Sequence, residues 1–389
     1  MDHDHDHLQP DSPLMTMSNS FLRDGMLQLS IPGPSRDPVY YISDGNSVLL
    51  VENTLFKVHR SILTKDKSAF ETMFQLSSET DSSRSDSSMA AAPEGENDDN
   101  PIRLQGDSPD EFRALLWALY ALPHELMLAT TPDANCMQLV HLARITHKYQ
   151  FRSIETWALG ALHIFYSRPG AFDLPGIPPG LPHTTPPPEV PSLVAITELA
   201  ALCERQDLME LTVAQWKHQI GEGKDLALAI GIGERLNLRG MLGLAYHAMM
   251  LKGKLHWDAE PALTREQRVR LLCGYYTLGK LWESLPAQPP ALSHSARCTS
   301  QQRCSKAWGA LWKAVLELGT EIIPGLQRED VLARLVLAEC TIKSLIERDL
   351  QVQGVSDRLP HCKESALIAT TMRVRDFREA LSDYFSDDF

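Results

Sequence analysis

No stretch of this 389-residue chain is apolar for long enough to span a bilayer. Its opening residues, MDHDHDH, are acidic and polar where a secretory signal would be basic and then apolar. Basic residues are in deficit: 37 Lys and Arg against 50 Asp and Glu, a formal net charge of -13. No Lys/Arg cluster reads as a nuclear signal or nucleic-acid patch, and the overall charge repels nucleic acid. Neither nucleic acid nor a membrane is therefore an expected partner. The seven cysteines are odd in number and scattered, which favours a reducing compartment over a disulfide framework. Cytoplasm and nucleus both satisfy that. Fixed-period repeats are absent, which excludes kelch, ankyrin and tetratricopeptide arrays.

Signatures of common catalysis are missing too. There is no G-x-S-x-G elbow and no phosphate-binding loop. Gly231-Ile232-Gly233 has the start of a dinucleotide fingerprint, but Leu236 stands where the third glycine belongs and no strand is expected before it. A helix with small residues for close packing is the better reading. His141 and His147 are six apart and do not share a helical face as a metal pair at i, i+4 would.

What is present is a globular composition, 43% apolar and 22% charged, on a chain long enough for two or three domains. Residues 1–37 read as a disordered tail. Imidazole and carboxylate in MDHDHDH are both metal ligands, and a free amine two residues before His3 would add a Cu(II) or Ni(II) chelate. A solvated acidic tail is the simpler reading. From Asn46 the pattern sharpens. Val48-Leu49-Leu50-Val51 and Leu55, Phe56, Val58 are two β-rich runs separated by Glu52-Asn53-Thr54, a hairpin pattern. After His59-Arg60-Ser61 the period becomes helical, with Ile62, Leu63, Ala69, Phe70, Met73 and Phe74 on one side of a helix pair broken near Thr64-Lys65-Asp66. Burying Phe56, Phe70 and Phe74 contributes about 1.5–3 kcal/mol each. His59 is expected to be a structural histidine at the strand–helix junction.

Residues 77–100, rich in Ser, Asp and Glu, have almost nothing to bury and read as a disordered acidic insertion. Phosphorylation of its serines would make it more acidic still. Ser108-Pro109 then opens a helix with Asp110-Glu111 in its first turn and Phe112, Leu115, Leu116 and Leu119 on its apolar face; Pro123 marks its end. Helices over 136–150 and 153–166 follow. Residues 169–191 are proline-rich, which blocks helix and sheet; they read as a semi-rigid linker or a ligand for a proline-recognition domain. From 192 to 389 almost everything reads as helix. Trp308, Leu311, Trp312 and Val315 form one apolar stripe, and Val331, Leu335, Ala338, Ile342 and Leu345 another.

Phe56-Lys57-Val58-His59-Arg60, Leu63, Phe70 and Met73-Phe74 resemble the opening signature of a BTB/POZ domain. After the insertion, Ile102-Arg103-Leu104, then Phe112 to Tyr120, then Leu142-Ala143, His147 to Gln150 and Leu159 resemble its later blocks in the right order. The likeness covers about residues 40–168 and is nearest to fungal BTB proteins with a helical C-terminal region. It implies an α+β domain over 38–168 followed by an all-α bundle over 192–389. Its signature residues here are Phe56, His59, Arg60, Leu63, Phe70, Met73, Phe74 and Tyr120. It also implies a non-catalytic protein-interaction module, an adaptor or scaffold that pairs with itself as a homodimer. In BTB transcription factors an Asp and an Arg line a charged pocket; Arg60 matches, but Asn46 replaces the Asp. Cullin adaptors carry an apolar-x-Glu motif after the Met-Phe pair; here Ser77 stands at its apolar position before Glu79. A cullin-type ubiquitin-ligase adaptor is therefore an alternative that the motif does not favour.

Dimerisation would use Val48, Leu50, Leu55 and Phe56, because strand side chains face both ways and the helices from Ile62 to Phe74 cover one side. The acidic tail Asp383–Phe389 should lie away from such a surface. The rival class is a metal-dependent hydrolase in the helical half. Its candidate ligands are His294, Cys298 and Cys304, three where Zn(II) takes four. His361-Cys362 would add to them only if the fold brought them close. No metal or cofactor is expected on this count, and no catalytic residue is assigned.

Overall fold

The computed structural model describes residues 33–82, 94–172, 190–323, 325–347, 359 and 361–386. The first unit is a four-stranded sheet of β1 (Ser35–Tyr41), β2 (Ser47–Val51), β3 (Thr54–Val58) and β4 (Ile102–Leu104) in the order β1-β3-β2-β4. β2 and β3 form the expected hairpin, paired from Ser47↔Val58 to Val51↔Thr54, with Glu52 in the left-handed region at φ 49°. β1 runs parallel to β3, and β4 parallel to β2. The helix pair also forms: α1 (Arg60–Leu63) and α2 (Ala69–Ser82) are separated by a turn in which Asp66 adopts φ 63°. Ser153 N and Oγ donate to the Asp66 carboxylate at 2.7 and 2.5 Å, which fixes that break.

Order extends further at both ends of the acidic segments than composition suggests. β1 begins at Ser35, inside the stretch read as tail. α2 continues to Ser82, and residues 94–100 form a turn bonded to the sheet, so 77–82 and 94–100 belong to the fold. Val48 N donates to Gly95 O at 2.7 Å, and Asp98 accepts from Tyr41 at 2.5 Å and from Arg36 at 2.7 Å. Polar side chains hold this turn, which is why a count of apolar residues misses it. The tail before residue 33, the remainder of the insertion (83–93) and most of the proline-rich stretch (173–189) lie outside the described residues.

α3 (Pro109–Tyr120) opens on a capping box between Ser108 and Glu111 with Pro109 in its first turn. Pro123 does not simply end it: α4 (Pro123–Leu128) starts there, on a corner where Glu125 caps the Leu122 N–H. α5 (Cys136–Tyr149) and α6 (Arg152–Tyr166) lie within a residue of expectation. One core joins the sheet's inner face (Leu49, Val51, Phe56, Val58) to Phe70, Phe74, Phe112, Leu115, Leu116, Tyr149 and Phe151. A second joins α5 and α6 to α7 (Leu193–Leu202) and α8 (Gln206–Gly221) through Leu139, Leu159, Leu162, Ile196, Leu199 and Leu208. The apolar packing thus continues across the two sides of the proline-rich stretch.

The helical half proceeds through α9 (Leu226–Arg235), α10 (Arg239–Lys252), α11 (Lys254–Ala259), α12 (Arg265–Ser284), α13 (Gln301–Ile322), α14 (Val331–Glu347) and α15 (Lys363–Glu379). Gly231-Ile232-Gly233 falls in α9 after a helix, and a Cβ on Gly233 would press on Leu242 of α10 at 3.1 Å, so its role is close packing. Both apolar stripes face one large core: Trp308, Leu311, Trp312 and Val315 of α13, and Val331, Leu335, Ala338 and Ile342 of α14, meet Trp216, Tyr246 and Trp257. Residues 383–386 of the stretch read as an acidic tail belong to the fold. Leu381 and Phe385 sit in a 3₁₀ turn and are buried in the same core.

Candidate functional site

Of the signature residues, Phe56, Leu63, Phe70 and Phe74 are buried together in the sheet core, with Met73 and Tyr120 packed on it. Phe70 stacks on Tyr149, ring centroids 4.4 Å apart. His59 occupies the N-cap position of α1, but its side chain does not cap the helix. It turns to α3 instead. The Tyr120 hydroxyl accepts from the His59 backbone N–H at 3.1 Å and lies 2.9 Å from Nδ1. The hydroxyl has one proton to donate and two lone pairs to accept with, so it pairs with Nδ1 in either ring tautomer. Nε2 faces Asp44 at 3.4 Å. Burial raises the Tyr120 phenol, which keeps it a neutral donor. The trio joins strand end to helix end.

Arg60 also turns inward. Its Nη2 donates to Phe74 O at 2.7 Å, and its guanidinium lies 4.3 Å from the Phe74 ring centroid. Its backbone N–H donates to Asn46 Oδ1 at 2.8 Å, so Asn46 is a structural acceptor here. The residues of the cullin motif, 77–79, have side chains outside the described set, as does the MDHDHDH run.

The strand residues expected to form a pairing surface are not exposed. Val48, Leu50 and Leu55 occupy the outer side of the sheet, but they are buried with Tyr41 packed against them, and Phe56 faces the helices. On α4 and its approach, Leu122, Met127 and Leu128 are 59%, 69% and 60% exposed. The nearby edge strand adds Val39, and its neighbour Tyr40 stacks on Tyr120, centroids 6.4 Å apart. Sequence reading missed this patch. Its signal was the short run after Pro123, HELML, whose apolar residues follow no core stripe.

His141 and His147 do not converge. His141 lines an open cleft of about 720 Å³ between β4 and the α3 and α5 helices, with Arg103, Arg144 and Glu52 of mixed charge. His147 Nδ1 lies 2.8 Å from Glu155 Oε1, within reach of Cys203. Burial, then the charge and hydrogen bond of Glu155, push the Cys203 thiol up to about 12. That thiol donates to a carboxylate; it is not activated as a nucleophile.

The metal-ligand count, by contrast, changes. His294 and Cys298 lie in the irregular connection before α13, Cys304 in the first turn of α13, and Cys362 at the N-cap of α15. The fold brings all four together, with their ligand atoms within 4.8 Å of one another. His294 Nδ1 lies 3.7 Å from Cys298 Sγ and 3.8 Å from Cys362 Sγ. His294 Nε2 is 3.1 Å from Ser305 Oγ. Cys304 and Cys362 are buried. Burial and the two neighbouring thiols push Cys304 up to about 12. The set of three ligands read from the sequence is therefore corrected to four, and the expectation of no metal loses its premise. Of His361-Cys362, Cys362 is the member that joins.

Comparison with family models, with characterised proteins and with solved structures finds no match. Among the described residues no helix is long and apolar enough to cross a membrane.

Proposed function

We propose that this chain is a non-catalytic interaction protein of the BTB/POZ type that self-associates through its N-terminal half. The observation that supports the reading is the α4 corner: Leu122, Met127 and Leu128 are held out of the core on a capped, ordered helix. Apolar side chains clustered this way on a folded surface mark protein contacts. The strand-strand-helix-helix order around Phe56 to Phe74, and the packing of its aromatic residues, agree with the resemblance read from the sequence. Pairing through α4 on both copies makes a two-fold interface of like surfaces.

Sedimentation equilibrium of the full chain at micromolar concentration tests this. A dimer is expected, and Met127→Glu with Leu128→Glu should return it to monomer with an unchanged circular dichroism spectrum. A wild-type monomer, or a dimer indifferent to both charges, would overturn self-association through this surface.

A further inference from the structure

We propose that His294, Cys298, Cys304 and Cys362 hold one structural Zn(II) ion that ties the entry to α13 to the start of α15. Zn–S bonds of about 2.3 Å and Zn–N bonds of about 2.0–2.1 Å in a tetrahedron place neighbouring ligand atoms about 3.4–3.8 Å apart. The two distances from His294 Nδ1, 3.7 Å to Cys298 Sγ and 3.8 Å to Cys362 Sγ, have that spacing. All four ligand atoms lie within 4.8 Å of one another, within reach of one ion.

The outer contacts fit as well. A metal-bound histidine usually donates its other ring N–H to an oxygen, which fixes the tautomer and aims the lone pair. Here Nε2 reaches Ser305 Oγ at 3.1 Å, and Nδ1 faces the sulfurs. The donor set chooses the ion. Three thiolates and one imidazole suit Zn(II), whereas Mg(II) and Ca(II) take oxygen. Four protein ligands leave no open position for substrate or water, so the ion is structural and not a hydrolytic centre. The three thiols bind as thiolates and release their protons to solvent.

The site also accounts for a feature of the fold. Residues 288–300 connect a 3₁₀ turn to α13 with neither helix nor strand. Connections of this length without structure are uncommon inside a compact unit. Trp308 Nε1 donates to Pro290 O at 2.8 Å and holds one end. The ion would hold the other, at His294 and Cys298, and bind both to a helix 68 residues further on.

The test is metal analysis of the reduced full-length protein after dialysis, followed by Co(II) exchange. About one zinc per chain is expected, with Co(II) giving the intense visible bands of a tetrahedral thiolate site. Cys298→Ser and Cys362→Ser should each lower zinc content about tenfold, while Cys340→Ser, which alters an exposed cysteine outside the cluster, should leave it unchanged. If the cluster variants do not fold, the Co(II) spectrum of the wild type decides alone. Zinc well below one equivalent with no tetrahedral Co(II) spectrum would overturn the proposal. So would zinc that survives both cluster substitutions, or a disulfide within the cluster in protein that has never been oxidised. None of these results depends on whether the chain dimerises.

Discussion

Phe385 occupies the space that a side chain on Gly274 would need. A Cβ built on Gly274, midway along α12, would overlap the Phe385 ring. The ring is buried and stacks on Tyr246 with centroids 5.2 Å apart, so it has little room to yield. Gly243 of α10 is similarly close, its would-be Cβ 2.6 Å from Ser382 N. Gly274→Ala should therefore destabilise the protein by about 1–3 kcal/mol through overpacking. Phe385→Ala should cost about 3–5 kcal/mol through the cavity it leaves. Because both changes act on one space, the double variant should cost less than their sum. Urea denaturation measures all three. A Gly274→Ala chain as stable as wild type would mean that the C-terminal turn is not seated as described.

Arg60, which the sequence singled out as a pocket residue, offers a second test. Here its guanidinium is committed to Phe74, by one hydrogen bond and by contact with the ring face. Arg60→Ala should cost about 1 kcal/mol, the size of a hydrogen bond plus an exposed cation–π contact. Arg60→Lys should lose most of the same amount, since an ammonium cannot stack its plane on the ring. The dimerisation constant should be untouched by either. A shift of dimerisation without a shift of stability would place Arg60 in an interface.

The elements that could be read from the sequence were those with a local cause. The β2–β3 hairpin follows from two short apolar runs on either side of a polar turn, and the α3 boundary from Ser108, Pro109 and Glu111 acting within four residues. The stripes on α13 and α14 follow from helical spacing. What could not be read depends on partners far along the chain. Asp98 looks like one more acidic loop residue until Tyr41 and Arg36 reach it. Cys362 reads as a spare thiol until the fold sets it 3.8 Å from His294. The burial of the strand residues expected at a pairing surface was hidden for the same kind of reason. Alternation shows that Val48, Leu50 and Leu55 share a face, but not that the chain itself buries it.

Two thiols make a pH prediction. Burial pushes Cys136 up to about 12, and burial with Glu155 does the same for Cys203. A raised pKa means that the folded state holds the proton more tightly than the unfolded chain. The stabilisation is complete below the unfolded thiol range and is lost as pH rises from about 9 towards about 12. Only the thiolate is alkylated, so at pH 8 both cysteines should resist iodoacetamide while exposed Cys340 reacts. Peptide mapping after alkylation reads this directly. Labelling of Cys203 at the rate of Cys340 would show that it is neither buried nor paired with Glu155.

The edge strand β1 is fastened at Asp37. Pro38 has no N–H to give the sheet, and the pairing with β3 shifts register between Arg36 and Tyr41. Asp37 fills the gap. Its Oδ1 accepts from Val39 N at 3.0 Å and Tyr40 N at 2.8 Å, and its Oδ2 accepts from Arg113 Nε at 2.8 Å. The carboxylate is fully buried, whereas the Arg113 side chain is 39% exposed. Removing one partner of a buried pair costs about 3–5 kcal/mol because a charge is left unpaired. Solvent near Arg113 and the two remaining backbone donors reduce that, so Arg113→Ala should cost about 2 kcal/mol. Adding Asp37→Asn to Arg113→Ala removes the stranded charge while keeping an oxygen for the backbone donors. The double variant should therefore be no less stable than Arg113→Ala alone. Chemical denaturation of the two, with hydrogen exchange at Val39 and Tyr40 as the local readout, measures it. If Arg113→Ala leaves both stability and that exchange unchanged, β1 is held by its pairing with β3 and not by this charge.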